Sequence, residues 1–268
     1  MRELISSFPE QLQLAWKNAD ATEFKNTDQQ VSNVVITGLG GSGIGGKIIA
    51  QLVQDDAVLP ILINNDYSLP AFVNEHTLVV VSSYSGNTEE TVSAMKSALN
   101  QGAVVACITS GGMVANIARE HQLDSIIVPG GQPPRSQFGY SAISLLKVLT
   151  AYDVIPSHYF TAAHSLGNQL ASTQDSIIHR ASRICDRIEN RMPIIYAEAR
   201  NEGVAIRWRQ QFNENSKLLC WHHVYPEMNH NELVGWEKGS SDYVALLLRT
   251  DDDNPRTTVR KRSIYDSV

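Results

Sequence analysis

Two turns rich in Gly, Ser and Thr each end an apolar run of strand type and lead into a segment of helical type: Gly38-Leu39-Gly40-Gly41-Ser42-Gly43 and Ser82-Ser83-Tyr84-Ser85-Gly86-Asn87-Thr88. A loop of this kind between strand and helix gathers backbone N–H groups, hydroxyl donors and the positive end of a helix dipole, which is an anion site suited to phosphate. Two of them at carboxyl ends of strands in one domain point to a single phosphorylated ligand held between them. They also restrict the fold, because repeated strand–turn–helix units make parallel strands with crossover helices.

The rest of the chain follows that rule. Residues 31–37, 59–64, 78–82, 104–109 and 125–128 read as short strands, and 44–54, 89–100 and 113–121 as helices between them. Five such strands predict a doubly wound parallel sheet with the ligand near its switch point. Residues 4–18, interrupted by Pro9, predict a leading amphipathic helix or helix pair. After Gly130–Arg135 and a helix at 141–152, residues 153–157 mark a junction, giving domains 1–155 and 156–268. A long helix at 161–190 precedes a strand at 193–197, a helix at 203–212, a strand at 218–224, a helix at 232–236 and a strand at 243–248. The second half is then a shorter α/β unit of the same kind, a diverged duplicate. The expected class is α/β, with two flavodoxin-like domains of three αβα layers.

Bulk properties exclude some partners. Of 268 residues, 43% are hydrophobic and 19% charged, enough to bury a core. The net charge of −6 argues against nucleic acid and assigns capture of an anion to a local site. Cys107, Cys185 and Cys220 form no CxxC pair, which reads as a reduced, cytoplasmic protein with no zinc site. No apolar run reaches the roughly 18 residues that a membrane span needs. Residues 1–9 lack the apolar core of a signal peptide. His222-His223 and Asp251-Asp252-Asp253 match no metal motif and read as solvated loop.

Alone, the first turn leaves three readings open. Gly38-x-Gly40-x-x-Gly43 satisfies the dinucleotide fingerprint, with Asp66 near the expected acidic position. Gly41 to Lys47 spells GxxxxGK, but Ile48 stands where a nucleoside triphosphatase places the magnesium-holding Ser or Thr. Phosphosugar binding and simple close packing complete the field. The second turn decides, since a dinucleotide fold has no need of it.

Gly-Leu-Gly-Gly-Ser-Gly-Ile followed by Ser-Ser-Tyr-Ser-Gly-Asn-Thr-Glu-Glu-Thr resembles the sugar isomerase (SIS) domain. Pro133-Pro134-Arg135, Asn213-Glu214-Asn215-Ser216-Lys217 and Pro226-Glu227-Met228-Asn229-His230-Asn231-Glu232 narrow the resemblance to the bifunctional phosphoglucose/phosphomannose isomerases. It covers almost the whole chain. It implies two SIS domains, aldose–ketose isomerisation of glucose or mannose 6-phosphate to and from fructose 6-phosphate, no cofactor or metal, and a homodimer with shared active sites.

Under that resemblance Ser42, Ser83, Ser85 and Thr88 grip the 6-phosphate, assisted by backbone N–H groups at two helix starts, with Gly41, Gly43 and Pro134 in support. Neutral hydroxyls can hold a dianion and strand no charge when the site is empty. Glu214 is the base that carries a proton between C2 and C1 through a cis-enediol(ate). Arg135, presented by Pro133-Pro134, stabilises the enediolate as a fixed cation. His230 protonates the ring oxygen during ring opening and, in the family, serves the neighbouring subunit.

The family continues past the strand at 243–248 with a long helix and a lysine that assists ring opening. Here only its Arg/Lys-rich start, Thr257 to Ile264, is matched, so the second domain is expected to be incomplete at its C-terminus. The alternative is a non-catalytic phosphosugar-binding module, which would need the hydroxyl turns but neither Glu214 nor His230. A nicotinamide-dependent dehydrogenase stands third.

Overall fold

The structure, a computed structural model, describes residues 1–239 and 241–257. The Arg/Lys-rich stretch at 258–262 lies outside them. The chain divides into two compact units, Met1–Thr173 and Gln174–Val268.

In the first unit, in chain order, are α1 (Arg2–Ser6), α2 (Phe8–Asp20), β1 (Asn33–Thr37), α3 (Gly40–Leu52), β2 (Ile61–Asn64), β3 (Thr77–Ser83), α4 (Glu89–Asn100), β4 (Val104–Thr109), α5 (Gly112–Glu120), β5 (Asp124–Ile127), α6 (Phe138–Ala151) and α7 (His158–Ala163). The division falls within α8 (Leu166–Ile188). All five strands pair in parallel in the order β2-β1-β3-β4-β5. This is the flavodoxin-like order, whose switch point lies between β1 and β3.

Apolar residues alternate across the sheet with period two, and both faces are covered. Val34, Ile36, Leu78, Val80, Val104, Ala106 and Ile108 face one core with residues of α2, α3 and α6. Val35, Val79, Val81, Val105 and Cys107 face the other with α4 and α5. Every residue of β3 is buried, as a central parallel strand requires. Each such Val or Leu contributes about 1.5–3 kcal/mol relative to remaining in water. Burial also pushes the Cys107 thiol up to about 12, so it is packed as a neutral apolar group.

The leading segment is the expected helix pair, broken at Ser7, with Pro9 in the first turn of α2, where its missing N–H is no loss. Two other expectations change in detail. Helix α3 starts at Gly40, earlier than the glycines suggest, because close packing needs them: a Cβ on Gly45 would come 2.6 Å from Ser141 Oγ. The long helix expected at 161–190 is broken near Ser165, whose hydroxyl bonds back to the Ala162 carbonyl at 3.1 Å.

The second unit holds β6 (Met192–Glu198), α9 (Glu202–Gln211), β7 (Trp221–Tyr225) and β8 (Tyr243–Leu247), paired in parallel as β7-β6-β8. That order repeats β2-β1-β3, as a diverged duplicate should. Alternation recurs: Ile194 and Tyr196 face one core with Tyr225, Met228 and Trp236, and Ile195 and Ala197 face the other with Ala205. His222 and His223 lie in β7, not in a loop, because the strand runs to Tyr225. The segment expected as a helix at 232–236 is a 3-10 helix, Glu232–Lys238. The Tyr225–Pro226 peptide is cis.

Gly86 should be the least replaceable residue of the second turn. Its φ is +69°, and a Cβ there would lie inside the van der Waals sphere of the Gly111 carbonyl oxygen. Gly102 has a φ of +72° with open space around it. Urea unfolding should therefore show Gly102→Ala costing about 1–2 kcal/mol, the left-handed penalty alone, and Gly86→Ala clearly more.

Candidate functional site

The two hydroxyl-rich turns leave the carboxyl ends of the neighbouring strands β1 and β3, at the switch point. They are tied together directly. Ser42 Oγ, in the first turn of α3, accepts from the Tyr84 backbone N–H at 3.0 Å. Asn65 Nδ2, beyond β2, donates to the Gly38 carbonyl at 2.5 Å. Tyr84 extends the stitching, since its hydroxyl accepts from Gln132 N at 3.2 Å and its carbonyl accepts from Ser110 Oγ at 2.7 Å. Asn87 Oδ1 accepts from Met113 N at 3.0 Å, anchoring the second turn to the start of α5.

The pattern of acceptance decides which hydroxyls can give a proton outward. A hydroxyl has one proton, and accepting a bond leaves that proton to donate. Ser42 accepts from Tyr84 N, Ser85 Oγ accepts from Asn87 N at 3.3 Å, and Thr88 Oγ1 accepts from Ser83 Oγ at 3.2 Å. Ser42, Ser85 and Thr88 are thereby disposed as donors. Ser83, only 2% exposed, is turned inward and bonds to Thr88. No side-chain cap occupies the N-terminus of α3 or of α4, which begins after Thr88. These helix starts keep N–H groups and a positive dipole end for an anion.

Arg135 belongs to the same face of the first unit. It sits half-buried in a 3-10 turn, Pro134–Ser136, laid over the start of α3, where a Cβ on Gly41 would come 3.1 Å from the Pro134 carbonyl oxygen. Gln11 of α2 fixes that turn from behind: Nε2 donates to the Ser136 carbonyl at 2.8 Å and Oε1 accepts from Gly139 N at 2.9 Å. A small pocket between turn and loops is lined by Gly41, Ser42, Ser82, Tyr84, Pro134 and Gln137, with Tyr140 and Ser141 behind. Burial, then the nearby Tyr84, raises the Tyr140 pKa and keeps that phenol neutral. Asp66 takes no part: its Oδ1 accepts from Tyr67 N at 2.6 Å within its own turn.

Glu214 and His230 belong to the second unit. Helix α9 ends in a π turn, Phe212–Ser216, closed by Lys217 in the left-handed region at φ +57°. Lys217 Nζ donates to the Glu214 carbonyl at 2.6 Å, and Asn213 Nδ2 to the Leu218 carbonyl at 2.8 Å, so the backbone bearing the half-buried Glu214 is held on both sides. Arg207, two helical turns earlier on the same face, has its pKa lowered by burial, an effect opposed by the Glu214 charge. With the Gln211 carboxamide turned to suit its neighbours, its oxygen accepts from both Arg207 Nη atoms at 2.9 Å. His230 is exposed at the end of a 3-10 turn, Glu227–His230, anchored by buried Met228.

Among the described residues the Gly/Ser/Thr-rich turns of the first unit are not repeated in the second. At the end of β6, Glu198 Oε1 and Oε2 accept from Asn254 N at 3.0 and 3.2 Å, and Oε1 accepts from Thr257 Oγ1 at 3.1 Å. A carboxylate of the chain itself thus takes the Asn254 N–H and the Thr257 hydroxyl in the turn after β8.

The family described as bacterial phospho-glucose isomerase C-terminal SIS domain matches residues 178–267. A bifunctional phosphoglucose/phosphomannose isomerase of Caldicellulosiruptor bescii is 35% identical over the whole of this chain and 82% of its own. One of Aquifex aeolicus is 33% identical over 92% of this chain and 75% of its own. Among solved structures, the C-terminal domain of glucosamine-fructose-6-phosphate aminotransferase from Francisella tularensis superposes with a TM-score of 0.81 at 15% identity, covering 100% of this chain and 81% of that one, a likeness of fold.

The relay through Thr88 can be tested with inorganic phosphate as the probe. Thr88→Val removes the outermost donor and keeps the shape. Calorimetry should show phosphate binding weakened about tenfold or more, as for loss of one hydrogen bond to a charged group, with stability reduced by only about 1 kcal/mol.

Proposed function

We propose, since the chain belongs to the bifunctional phosphoglucose/phosphomannose isomerase family, that it interconverts glucose 6-phosphate and mannose 6-phosphate with fructose 6-phosphate. The chain is an isomerase of the SIS class, and hexose phosphate isomerisation is favoured over the non-catalytic binding module. The observation that carries this reading is the 35% identity to a named isomerase along the full chain, together with the paired hydroxyl turns at the β1/β3 switch point.

In the mechanism we infer, Ser42, Ser85 and Thr88 donate to the 6-phosphate oxygens, Ser83 supports Thr88, and the starts of α3 and α4 add backbone N–H groups and dipole. Gly41 and Gly43 support the turn by letting it pack closely: a Cβ on Gly41 would come 3.1 Å from the Pro134 carbonyl oxygen, and one on Gly43 2.8 Å from Asn65 Nδ2. Glu214 takes the proton from C2 of the open aldose and returns it to C1, passing through a cis-enediol(ate). Arg135 faces the charge that develops on the enediolate oxygens; guanidinium stays protonated and its planar donors suit two neighbouring oxygens. His230 gives a proton to the ring oxygen as the cyclic sugar opens. The two aldose substrates are epimers at C2, and the enediol erases that centre, so one base serves both if the site admits rotation about C2–C3. This route moves a proton and requires neither hydride acceptor nor metal.

The assembly that fits the family is a homodimer in which His230 serves the partner subunit. Phosphorylated sugars are intracellular metabolites, and the free cysteines suit a reducing compartment, so we assign the enzyme to the cytoplasm. Among the described residues no helix is long and apolar enough to cross a membrane.

A coupled assay for fructose 6-phosphate from each aldose, run in EDTA, tests the reading. Turnover of both sugars is expected, and Glu214→Gln should lower kcat by about 10²–10⁴-fold with KM little changed, the range for loss of a general base. Wild-type turnover in Glu214→Gln would remove Glu214 from the role of base. No turnover by the wild type, with hexose 6-phosphates still raising Tm, would favour the binding module.

A further inference from the structure

We propose that Glu232 is a positioning residue for ring opening: its carboxylate fastens the segment that carries His230 to two strands of the second unit. The inference rests on the assignment of ring opening to His230 made above.

His230 closes one 3-10 turn and, after Asn231, a second 3-10 helix follows. Such helices have poor hydrogen-bond geometry and are seldom rigid by themselves. Buried Met228 anchors the backbone before His230, and buried Trp236 anchors it six residues after. Between them Asn231 Nδ2 donates to Glu227 Oε1 at 3.1 Å, and Glu232, two residues past the imidazole, bonds the segment to the sheet.

The carboxylate of Glu232 receives donors from two strands. The Tyr196 hydroxyl of β6 donates to Oε1. His223 of β7 meets Oε2 at 2.7 Å through Nδ1, and because an ionised carboxylate only accepts, Nδ1 carries the proton. Trp221 Nε1, also of β7, lies 3.5 Å from Oε1. The same residue is held by its backbone, since Glu232 N donates to Asn231 Oδ1 at 2.6 Å. Trp236 closes the network from the far end of the segment, donating from Nε1 to the Tyr196 hydroxyl at 2.8 Å. Burial, then the bond to Glu232, raises the Tyr196 pKa, so the phenol remains a donor.

Holding the segment down would not by itself require a charge. Met228, Trp236 and the partly buried Leu233 already pack against Tyr196 and Tyr225. What the carboxylate adds is direction: charge-assisted bonds to donors on adjacent strands set the rotation of the backbone as well as its distance from the sheet. An error of about 1 Å in a catalytic group can cost on the order of 10²-fold in rate. Glu232 itself need not touch substrate to control that error.

The test is a double-mutant cycle on the full chain with glucose 6-phosphate as substrate, using Glu232→Ala, His230→Ala and the pair, with Tm recorded for each. Glu232→Ala is expected to lower kcat about tenfold or more while KM stays within about threefold, and Glu232→Gln, which retains an acceptor for Tyr196, to recover most of that loss. In the His230→Ala background Glu232→Ala should cost almost nothing further. The proposal is overturned if Glu232→Ala keeps wild-type kcat while His230→Ala loses it, or if the losses multiply in the pair. Wild-type turnover in His230→Ala would instead overturn the ring-opening assignment. Should Glu232→Ala fail to melt cooperatively, Tyr196→Phe gives the same cycle: a kcat loss absorbed by His230→Ala supports the proposal, and a multiplicative or absent loss overturns it.

Discussion

The parallel pairing of β1 with β3 sets the terms for everything at the anion site. Its register runs from Asn33 opposite Thr77 to Thr37 opposite Val81; β3 continues two residues past the end of β1, and the two turns leave the same edge of the sheet side by side. Chain connectivity then sends α3 to one face of the sheet and α4 to the other, leaving a crevice between their N-termini. The bond from Tyr84 N to Ser42 Oγ spans that crevice and makes two loops one structure. Misplace the register by one residue and the alternating Val and Ile side chains exchange cores, so the core that stabilises the sheet also fixes the loops.

The second unit shows what the same architecture does with different loops. Its central strand β6 is flanked as β1 is, yet its turns carry Glu198, Arg200 and Asp251–Asp253 in place of Gly, Ser and Thr. Glu198 supplies from within an anion for the Asn254 N–H and the Thr257 hydroxyl. Meanwhile the groups suited to proton transfer, Glu214 and His230, stand on irregular helical turns, a π turn and a 3-10 turn. A repeated scaffold has thus diverged by function: hydroxyl donors in one copy, titratable groups in the other.

Strand positions and the two turns were legible in the amino-acid order because each rests on local information: runs of Val and Ile, and Gly or Ser where a strand must give way to a helix. The start of α3 was less legible, since five glycines between 40 and 46 argue against a helix until the close approach of Ser141 and Gly38 is known. The π turn at Glu214 and the break at Ser165 are small departures from a helical period and leave no clear trace in it. Tyr84, Asn65 and Glu232 take their roles from partners distant along the chain or in a neighbouring strand, which local pattern does not reveal. Arg207 had one usable signal, its spacing of seven from Glu214, which places both on one helical face. The pairing of Glu232 with Tyr196 and His223 had none.

The hydroxyl relay has a consequence for how the protein meets its ionic surroundings. A lysine or arginine grip works through long-range attraction, which salt attenuates beyond a Debye length of about 8 Å at physiological ionic strength. On the reading proposed above, Ser42, Ser85 and Thr88 act instead through short-range dipoles that take effect only on contact, in a molecule with a net charge of −6. Ionic strength should therefore bear mainly on how fast a dianion arrives and little on how long it stays. Selection for a phosphorylated guest then depends on the spacing of hydroxyl groups, a quantity that dissolved ions leave unchanged.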